Sequence, residues 1–198
     1  MTLPLILASA SPRRMELLRQ IGVSFKPCPV DIDESVLLNE RPEDYVKRVA
    51  AHKSAACGLQ MADCDLNILA ADTSVICEGQ ILGKPCDQPH ALAMLQQLSG
   101  KTHQVLTAVS LRSYRNARCE CHDMALSVTD VTFRTLSASD LEAYWATGEP
   151  LDKAGAYAIQ GYAAIFIESI RGSYSGVVGL PLFETANLLS RQGIFVIS

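Results

Sequence analysis

Strand-like and helix-like segments follow one another along this chain without a strict alternation, and their order sets the class of fold. Apolar runs predict strands over residues 3–9, 23–30, 67–77, 80–85, 102–113, 126–136, 164–170 and 194–198. Apolar residues at helical spacing predict helices over residues 12–22, 41–59, 87–100, 137–148 and 181–193. This order is typical of an α/β fold in which helices flank a mixed, twisted sheet. We find no repeat or linker, so the sequence predicts one domain over residues 1–198.

The composition restricts the classes of ligand. Hydrophobic residues make up 48% of the chain, which suffices for one core. The formal net charge is −4, so stable nucleic-acid binding is not expected, and an anion must be met by local positive charge. The seven cysteines form no C-x-x-C pair, which is typical of reduced thiols in a cytoplasmic protein. We see neither a signal-peptide pattern nor a membrane-spanning apolar run, so no membrane association is expected.

The first predicted helix begins with two arginines, where the helix dipole favours acidic side chains. In "ASASPRRMELL" we expect Ser11 to cap the helix and Pro12 to take its first position, so Arg13 and Arg14 fall in the first turn. Serine hydroxyls, backbone N–H groups and guanidinium groups at one helix end match the oxygens of a phosphate. The segment therefore favours a phosphate site, with two solvated arginines as the alternative.

Two charged residues are predicted to lie where the pattern calls for apolar side chains. Lys53 follows Val49 by four positions on the apolar face of its helix; a lysine that extends to solvent is the alternative. Asp72 shares one face of its strand with Ala70 and Ile76. An unpaired carboxylate there would be costly, so we expect Asp72 to bind a metal, pair with a base or take part in chemistry.

A two-residue turn at residues 78–79 predicts a hairpin. Pairing of Cys77 with Gln80 would place Thr73 opposite Lys84. One lysine would then lie at the same site as the buried acid, although a different loop length would shift this register.

The acidic loop "DIDES" supplies Asp31, Asp33 and Glu34. These carboxylates could hold a hard cation such as Mg²⁺, but by itself the stretch favours a solvated loop. The four histidines show no nucleophile–base pattern, and the chain has neither a G-x-S-x-G elbow nor a P-loop. Covalent acyl chemistry and a P-loop nucleotide site are therefore not expected.

Several motifs run in order along the chain: "ASASPRR", "DES", the helix lysine, "ADTSV", "ILGKP", "LSGKTHQVLT", "DKAGAYAIQG" and "GSYSGVVGLPL". Taken together, they closely resemble the Maf family of nucleotide pyrophosphatases. The resemblance implies a fold related to the inosine triphosphate pyrophosphatases. It also implies hydrolysis of a nucleoside triphosphate to the monophosphate and pyrophosphate with a divalent cation, Mg²⁺ or Mn²⁺. A homodimer is compatible with the resemblance.

Carried over position by position, the resemblance assigns roles to individual residues. The catalytic acid falls on Asp72, and the metal site on Glu34 together with Asp72. The phosphate-binding positions are Ser9, Arg14, Lys53 and Lys84. The subgroup that acts on the pyrimidine nucleotides dTTP and UTP has its selectivity positions at Arg13, Thr73 and Gln160. A sister subgroup with tryptophan at the first of these prefers a methylated guanine nucleotide, so the arginine argues against it.

A non-enzymatic alternative stays open at this stage. Maf proteins are named for an association with septum inhibition, so the same pocket could serve a nucleotide-sensing regulator of cell division. Metal-dependent release of pyrophosphate distinguishes the two, because a sensor binds its nucleotide without consuming it. Whether the physiological pyrimidine nucleotide is ordinary or modified does not follow from the sequence.

Overall fold

A computed structural model describes residues 3–61 and 65–196, which form seven strands and six α-helices. The strands are β1 Leu5–Leu7, β2 Lys26–Pro27, β3 Leu66–Cys77, β4 Gln80–Leu82, β5 Thr102–Arg115, β6 Arg118–Phe133 and β7 Ile167–Arg171. The helices are α1 Pro12–Gln20, α2 Pro42–Gln60, α3 Gln88–Leu98, α4 Ala138–Ala146, α5 Tyr174–Val178 and α6 Leu182–Arg191. Across these described ranges, we find no helix with the length and apolar character to span a membrane.

The strands form one mixed sheet in the order β2-β1-β3-β5-β6-β7, with β4 also paired to β3. β1 runs parallel to β2 and β3, whereas the other described pairs are antiparallel. The prediction of a mixed sheet flanked by helices is confirmed. β3 is its organising strand, because β1 and β4 pair with one edge of it and β5 with the other.

Helices cover both faces of the sheet at β3. On one face Ile76 and Leu106 pack against Val46 of α2. On the other face Val75 belongs to an apolar cluster with Leu95 of α3. Because both faces are covered, nearly all of β3 is buried, which explains its continuous apolar sequence.

β5 and β6 form one long hairpin, and the sequence-based boundary between them is wrong. The predicted strands end at residue 113 and resume at residue 126, but β5 continues to Arg115 and β6 begins at Arg118. Ser113 still pairs with Cys121 in this part of the hairpin. The partner strand satisfies the backbone here, so the polar side chains indicate solvent exposure and not the end of a strand.

The second predicted strand and the last one also differ from expectation. Within residues 23–30 only Lys26–Pro27 is strand, because β2 pairs with just two residues of β1. Residues 194–196 of the predicted closing strand lie in no strand, and residues 197–198 lie outside the described residues. Ile194 and Val196 pack against the apolar cluster that contains Leu188 of α6, so their apolar character reflects packing against the core.

Candidate active site

A cleft opens along one edge of β3, between the residues that pair with β1 and those that pair with β4. β1 pairs with β3 as far as Leu69, and β4 pairs with it from Val75 onward. On its other edge β3 pairs with β5 without a break. A cavity of about 710 Å³ lies at this interruption. Because successive side chains of a strand point to opposite faces, Asp72 and Thr73 border the cavity from two sides of the sheet.

Eight of the nine predicted site residues line this one cleft. They are Arg13, Arg14, Glu34, Lys53, Asp72, Thr73, Lys84 and Gln160. Ser9 is buried and does not line it. The fold therefore brings together residues that are separated by up to about 150 positions in the sequence.

Lys53 joins two carboxylates of the cleft. Its Nζ lies 2.8 Å from Asp72 Oδ1 and 2.9 Å from Glu34 Oε1. Asp72 is only 6% exposed, whereas the Glu34 side chain is 46% exposed and lies at the rim. Loss of the lysine would leave a buried carboxylate without its partner, which is strongly unfavourable. We call Glu34, Lys53 and Asp72 the acidic wall of the cleft.

Arg14 is held in one orientation by three contacts. Its Nε donates to the Gly179 carbonyl oxygen (2.8 Å), its Nη2 to Thr73 Oγ1 (3.2 Å) and its Nη1 to Ser9 Oγ (3.3 Å). Burial lowers the pKa of Arg14, and the negative charge of Asp72 opposes that shift. A guanidinium stays charged in proteins, so Arg14 presents a fixed positive charge beside the catalytic candidate.

The start of α1 differs in detail from the predicted cap. Ser11 occupies the N-cap position and Pro12 begins the helix, but the Ser11 side chain makes no capping hydrogen bond. The Ser11 N–H instead donates to Ser9 Oγ (3.2 Å). The predicted N-cap position is confirmed, the expected capping hydrogen bond of Ser11 is wrong, and Ser9 supports both Ser11 and Arg14.

The predicted hairpin register that delivers Lys84 is confirmed. Cys77 pairs with Gln80, and the same register continues to Val75 and Leu82. β4 ends at Leu82, so the predicted pairing of Thr73 with Lys84 does not form, and the lysine instead lines the cleft beyond the end of the ladder.

A second group of cleft residues is cationic and comprises Arg13, Lys84 and Lys153. Among residues 3–61 and 65–196, no carboxylate oxygen lies within 4.0 Å of their cationic nitrogens. We call these three residues the cationic wall. The sequence analysis assigned no role to Lys153, although it stands in the motif "DKAGAYAIQG".

Gln160 lies on a segment whose backbone is held by hydrogen bonds to Tyr144 of α4 and to Glu149, which follows that helix. The Tyr144 hydroxyl accepts from the Ala158 N–H (3.2 Å) and donates to Glu149 Oε1 (2.8 Å). Glu149 Oε2 accepts from the Tyr162 N–H (2.8 Å). These contacts fix the backbone on both sides of Gln160. Sequence reasoning missed both supporting residues, because neither stands in a motif or breaks a pattern.

The acidic loop is held by side chains of α2 that the sequence analysis also missed. The Tyr45 hydroxyl donates to the Glu34 carbonyl oxygen (3.0 Å), and Arg48 Nη2 donates to that of Ser35 (2.8 Å). Burial raises the pKa of Tyr45 to about 12, so the hydroxyl keeps its proton at neutral pH. Lys53 lies on the same helix, and α2 therefore positions both the loop and the lysine that contacts it.

Asp72 and Glu34 are the carboxylates placed to share a cation. Both contact the same ammonium group, so their oxygens converge on one position of positive charge. Asp31 and Asp33 do not line the cleft. The parts of the chain that the structure describes contain no cluster of three or more metal-ligating side chains. Mg²⁺ is commonly held by one or two carboxylates together with substrate phosphates, and this pair fits that pattern.

The chain is similar to several known proteins. A family model described as "Maf-like protein" matches residues 4–192. The dTTP/UTP pyrophosphatase of Methylococcus capsulatus is 54% identical over 192 residues, which cover 97% of this chain and 92% of that protein. The protein of the same name from Escherichia coli O157:H7 is 53% identical, with 94% and 91% covered. A crystal structure of a nucleoside-triphosphatase / dITP/XTP pyrophosphatase from Mycobacterium abscessus matches 96% of this chain and 95% of its own, with 16% identity and a TM-score of 0.43.

Proposed function

This chain belongs to the Maf family, and from that premise we propose that it hydrolyses dTTP and UTP in the cytoplasm to the monophosphate and pyrophosphate. The observation that carries the proposal is the buried Asp72, held 2.8 Å from Lys53 in a cleft whose other charged residues are mainly cationic. A buried acid beside unpaired cations suits a substrate that brings negative charge and needs a positioned water. Relatives that are named dTTP/UTP pyrophosphatase support the choice of substrate.

A divalent cation, Mg²⁺ or Mn²⁺, is part of the proposal. Asp72 and Glu34 would hold it together with phosphate oxygens of the substrate. When bound, such a cation neutralises phosphate charge and lowers the pKa of a coordinated water.

Asp72 is the proposed catalytic base. The water oxygen forms a bond to the α-phosphorus, and the bond from that phosphorus to the bridging oxygen breaks. Its electron pair leaves with pyrophosphate, while the proton of the water passes to the Asp72 carboxylate. Lys53 contacts Oδ1 of this carboxylate, so Oδ2 is the oxygen proposed to face the water.

Three cations are proposed to bind the phosphate chain. Arg14 is oriented by its contacts with Thr73 and Gly179, so little conformational freedom is lost when it meets an anion. Lys84 extends from the end of the hairpin at the rim. Lys53 would shift part of its interaction from the carboxylates to a phosphate when substrate and cation arrive. Ser9 is proposed to act through its hydrogen bond to Arg14.

Base selectivity is proposed to depend on Arg13, Thr73 and Gln160. Thr73 accepts a hydrogen bond from Arg14 and lies 3.0 Å from Thr107 Oγ1, so a change at Thr73 also disturbs the arginine. Gln160 presents an amide on the braced segment, and an amide can both donate and accept hydrogen bonds at a base edge. A bound base that covers these polar groups without pairing with them is disfavoured.

A nucleotide panel tests this function. Purified protein with Mg²⁺ is assayed on dTTP, UTP, CTP, GTP and ATP, and the products are separated by anion exchange. We expect the highest kcat/KM for dTTP and UTP, with the monophosphate and pyrophosphate as products. Equal rates on dTTP, UTP and GTP would contradict the selectivity, and tight binding without turnover would support the sensor instead.

A further inference from the structure

Lys153 lies in a segment with an unusual backbone. Asp152, Gly155 and Ala156 all have a positive φ, at 60°, 67° and 59°. For a non-glycine residue this conformation costs of the order of 1–3 kcal/mol, and it persists where the surrounding structure enforces it. Such strain is concentrated at functional sites, so the side chain of Lys153 is a candidate for a functional role.

The segment is tied to the loop that carries Lys84. The Gly155 N–H donates to the Gly83 carbonyl oxygen (3.0 Å). A Cβ atom at position 155 would lie 2.9 Å from Val75 Cγ1, so this backbone packs directly on β3. Lys153 and Lys84 are therefore carried by two loops that are hydrogen-bonded to each other at the mouth of the cleft.

Lys153 forms no ion pair within the described part of the chain. Lys153 Nζ donates to the Leu151 carbonyl oxygen (3.1 Å), and no carboxylate pairs with it there. Burial lowers the pKa of Lys153, and the charges of Arg13 and Lys84 lower it further, while the charges of Asp152 and Glu149 partly oppose the shift. By contrast, Lys101 on the surface pairs with Glu78 at 2.9 Å. Three like charges at one cavity repel one another until an anion neutralises them.

We propose that Lys153 is a further phosphate-binding residue, which together with Lys84 holds the β- and γ-phosphates that leave as pyrophosphate. This inference rests on the proposed function, because it assigns a contact to the leaving group of that reaction. The chemistry recognised is a diphosphate dianion or higher anion, either within the nucleotide or as free pyrophosphate. A cation that neutralises the leaving group stabilises the transition state more than the ground state.

The test compares Lys153→Met and Lys153→Arg with the surface control Lys101→Met. Isothermal calorimetry measures binding of inorganic pyrophosphate and, separately, of dTMP, each in the presence of Mg²⁺. For Lys153→Met we expect pyrophosphate to bind ~10-fold or more weakly, since a hydrogen bond to a charged group is lost, while dTMP binding stays within about twofold. The arginine variant should recover most of the affinity, and Lys101→Met should match the wild type.

Two results would overturn the inference. One is unchanged pyrophosphate affinity in Lys153→Met. The other is an equal loss of pyrophosphate and dTMP binding, which would indicate that Lys153 merely supports the fold of the cleft. Calorimetry needs no turnover, so these outcomes are separate from failure of the proposed function, which would appear as a wild-type protein that releases no pyrophosphate from any nucleotide. In the kinetic assay, Lys153→Met should lower kcat/KM for dTTP by at least the same factor as its pyrophosphate affinity.

Discussion

The acidic wall and the cationic wall of the cleft differ in how their charges are balanced. On the acidic wall, Lys53 pairs with Asp72 and Glu34 at 2.8 and 2.9 Å. On the cationic wall, Arg13, Lys84 and Lys153 have no ion pair within residues 3–61 and 65–196. The first arrangement fixes the geometry of a carboxylate before any ligand binds. The second leaves positive charge for the substrate to neutralise. Under the proposed function, the acidic wall positions the catalytic carboxylate and the cationic wall binds the substrate.

The largest effect is expected from Asp72→Asn, which removes the buried negative charge of the acidic wall and keeps the shape of the side chain. General-base catalysis contributes ~10²–10⁴-fold, so we expect kcat for dTTP to fall by about 10³-fold. The thermal midpoint should change by only a few degrees, because Lys53 keeps Glu34 as a partner. The matched control is Asp130→Asn, in which the lost carboxylate belongs to a surface pair with Arg171. Near-wild-type turnover by Asp72→Asn would remove Asp72 from the catalytic role.

Next in size is Lys53→Met, which breaks the internal balance of the acidic wall. Two carboxylates then converge without a cation, and loss of one partner of a buried pair costs about 3 kcal/mol of the free energy of unfolding. Mg²⁺ should recover a larger part of the stability in this variant than in the wild type, because it replaces the missing charge. Thermal unfolding with and without Mg²⁺ measures both quantities. If Lys53→Met were as stable as Lys101→Met, the ion pairs of Lys53 would not stabilise the acidic wall.

The third prediction concerns a neutral histidine near the cationic wall. His103 Nε2 lies 2.9 Å from the hydroxyl of Tyr157, which lines the cleft, and burial lowers the pKa of His103 from 6.5 to about 4. The unfolded chain therefore binds more protons between these values, so this stability is present above pH 6.5 and is lost as the pH falls toward 4. Denaturant titrations should show a loss of ~2–3 kcal/mol over that range.

Two variants isolate the histidine contribution. His103→Gln should remove most of this pH dependence, whereas the exposed His52→Gln should retain it. An unchanged slope in His103→Gln would mean that another buried group binds the proton.

A smaller effect is expected from Glu149→Gln, which loosens the segment that carries Gln160. The amide keeps one acceptor oxygen but cannot serve both Tyr144 and the Tyr162 N–H as the carboxylate does. We expect kcat/KM for dTTP to fall about 10-fold, while calorimetric affinity for pyrophosphate stays within about threefold, because Gln160 is displaced more than the lysines. The exposed Glu142→Gln of α4 is the control. A selective loss of pyrophosphate binding would contradict this division.

Periodicity and turn length sufficed to predict the side chains whose positions follow from their own element. Asp72 is buried on the strand face where alternation placed it, and Lys53 is buried with Val49 and Val46 of α2. The two-residue turn fixed the pairing of Cys77 with Gln80. In each case one local rule, the repeat of a strand, the repeat of a helix or the geometry of a hairpin, determines the result.

Other features depend on contacts between distant segments and could not be predicted in this way. Lys153 is positioned by a segment in which Ala156 has a positive φ, a conformation that alanine does not signal. Glu149 acts through Tyr144 and the segment around Gln160, contacts that only the folded chain creates. The resemblance to a family supplied the proposed site residues that line the cleft, but not the residues that hold them in place.

Transfer of ¹⁸O from labelled water tests the central claim most directly, because it shows which phosphorus is attacked. The protein is incubated with dTTP and Mg²⁺ in H₂¹⁸O, and the products are analysed by mass spectrometry. If water positioned by Asp72 attacks the α-phosphorus while the cationic wall holds the leaving group, the label appears in dTMP and the pyrophosphate is unlabelled. Label in pyrophosphate, or release of orthophosphate and dTDP, would contradict this division between the two walls.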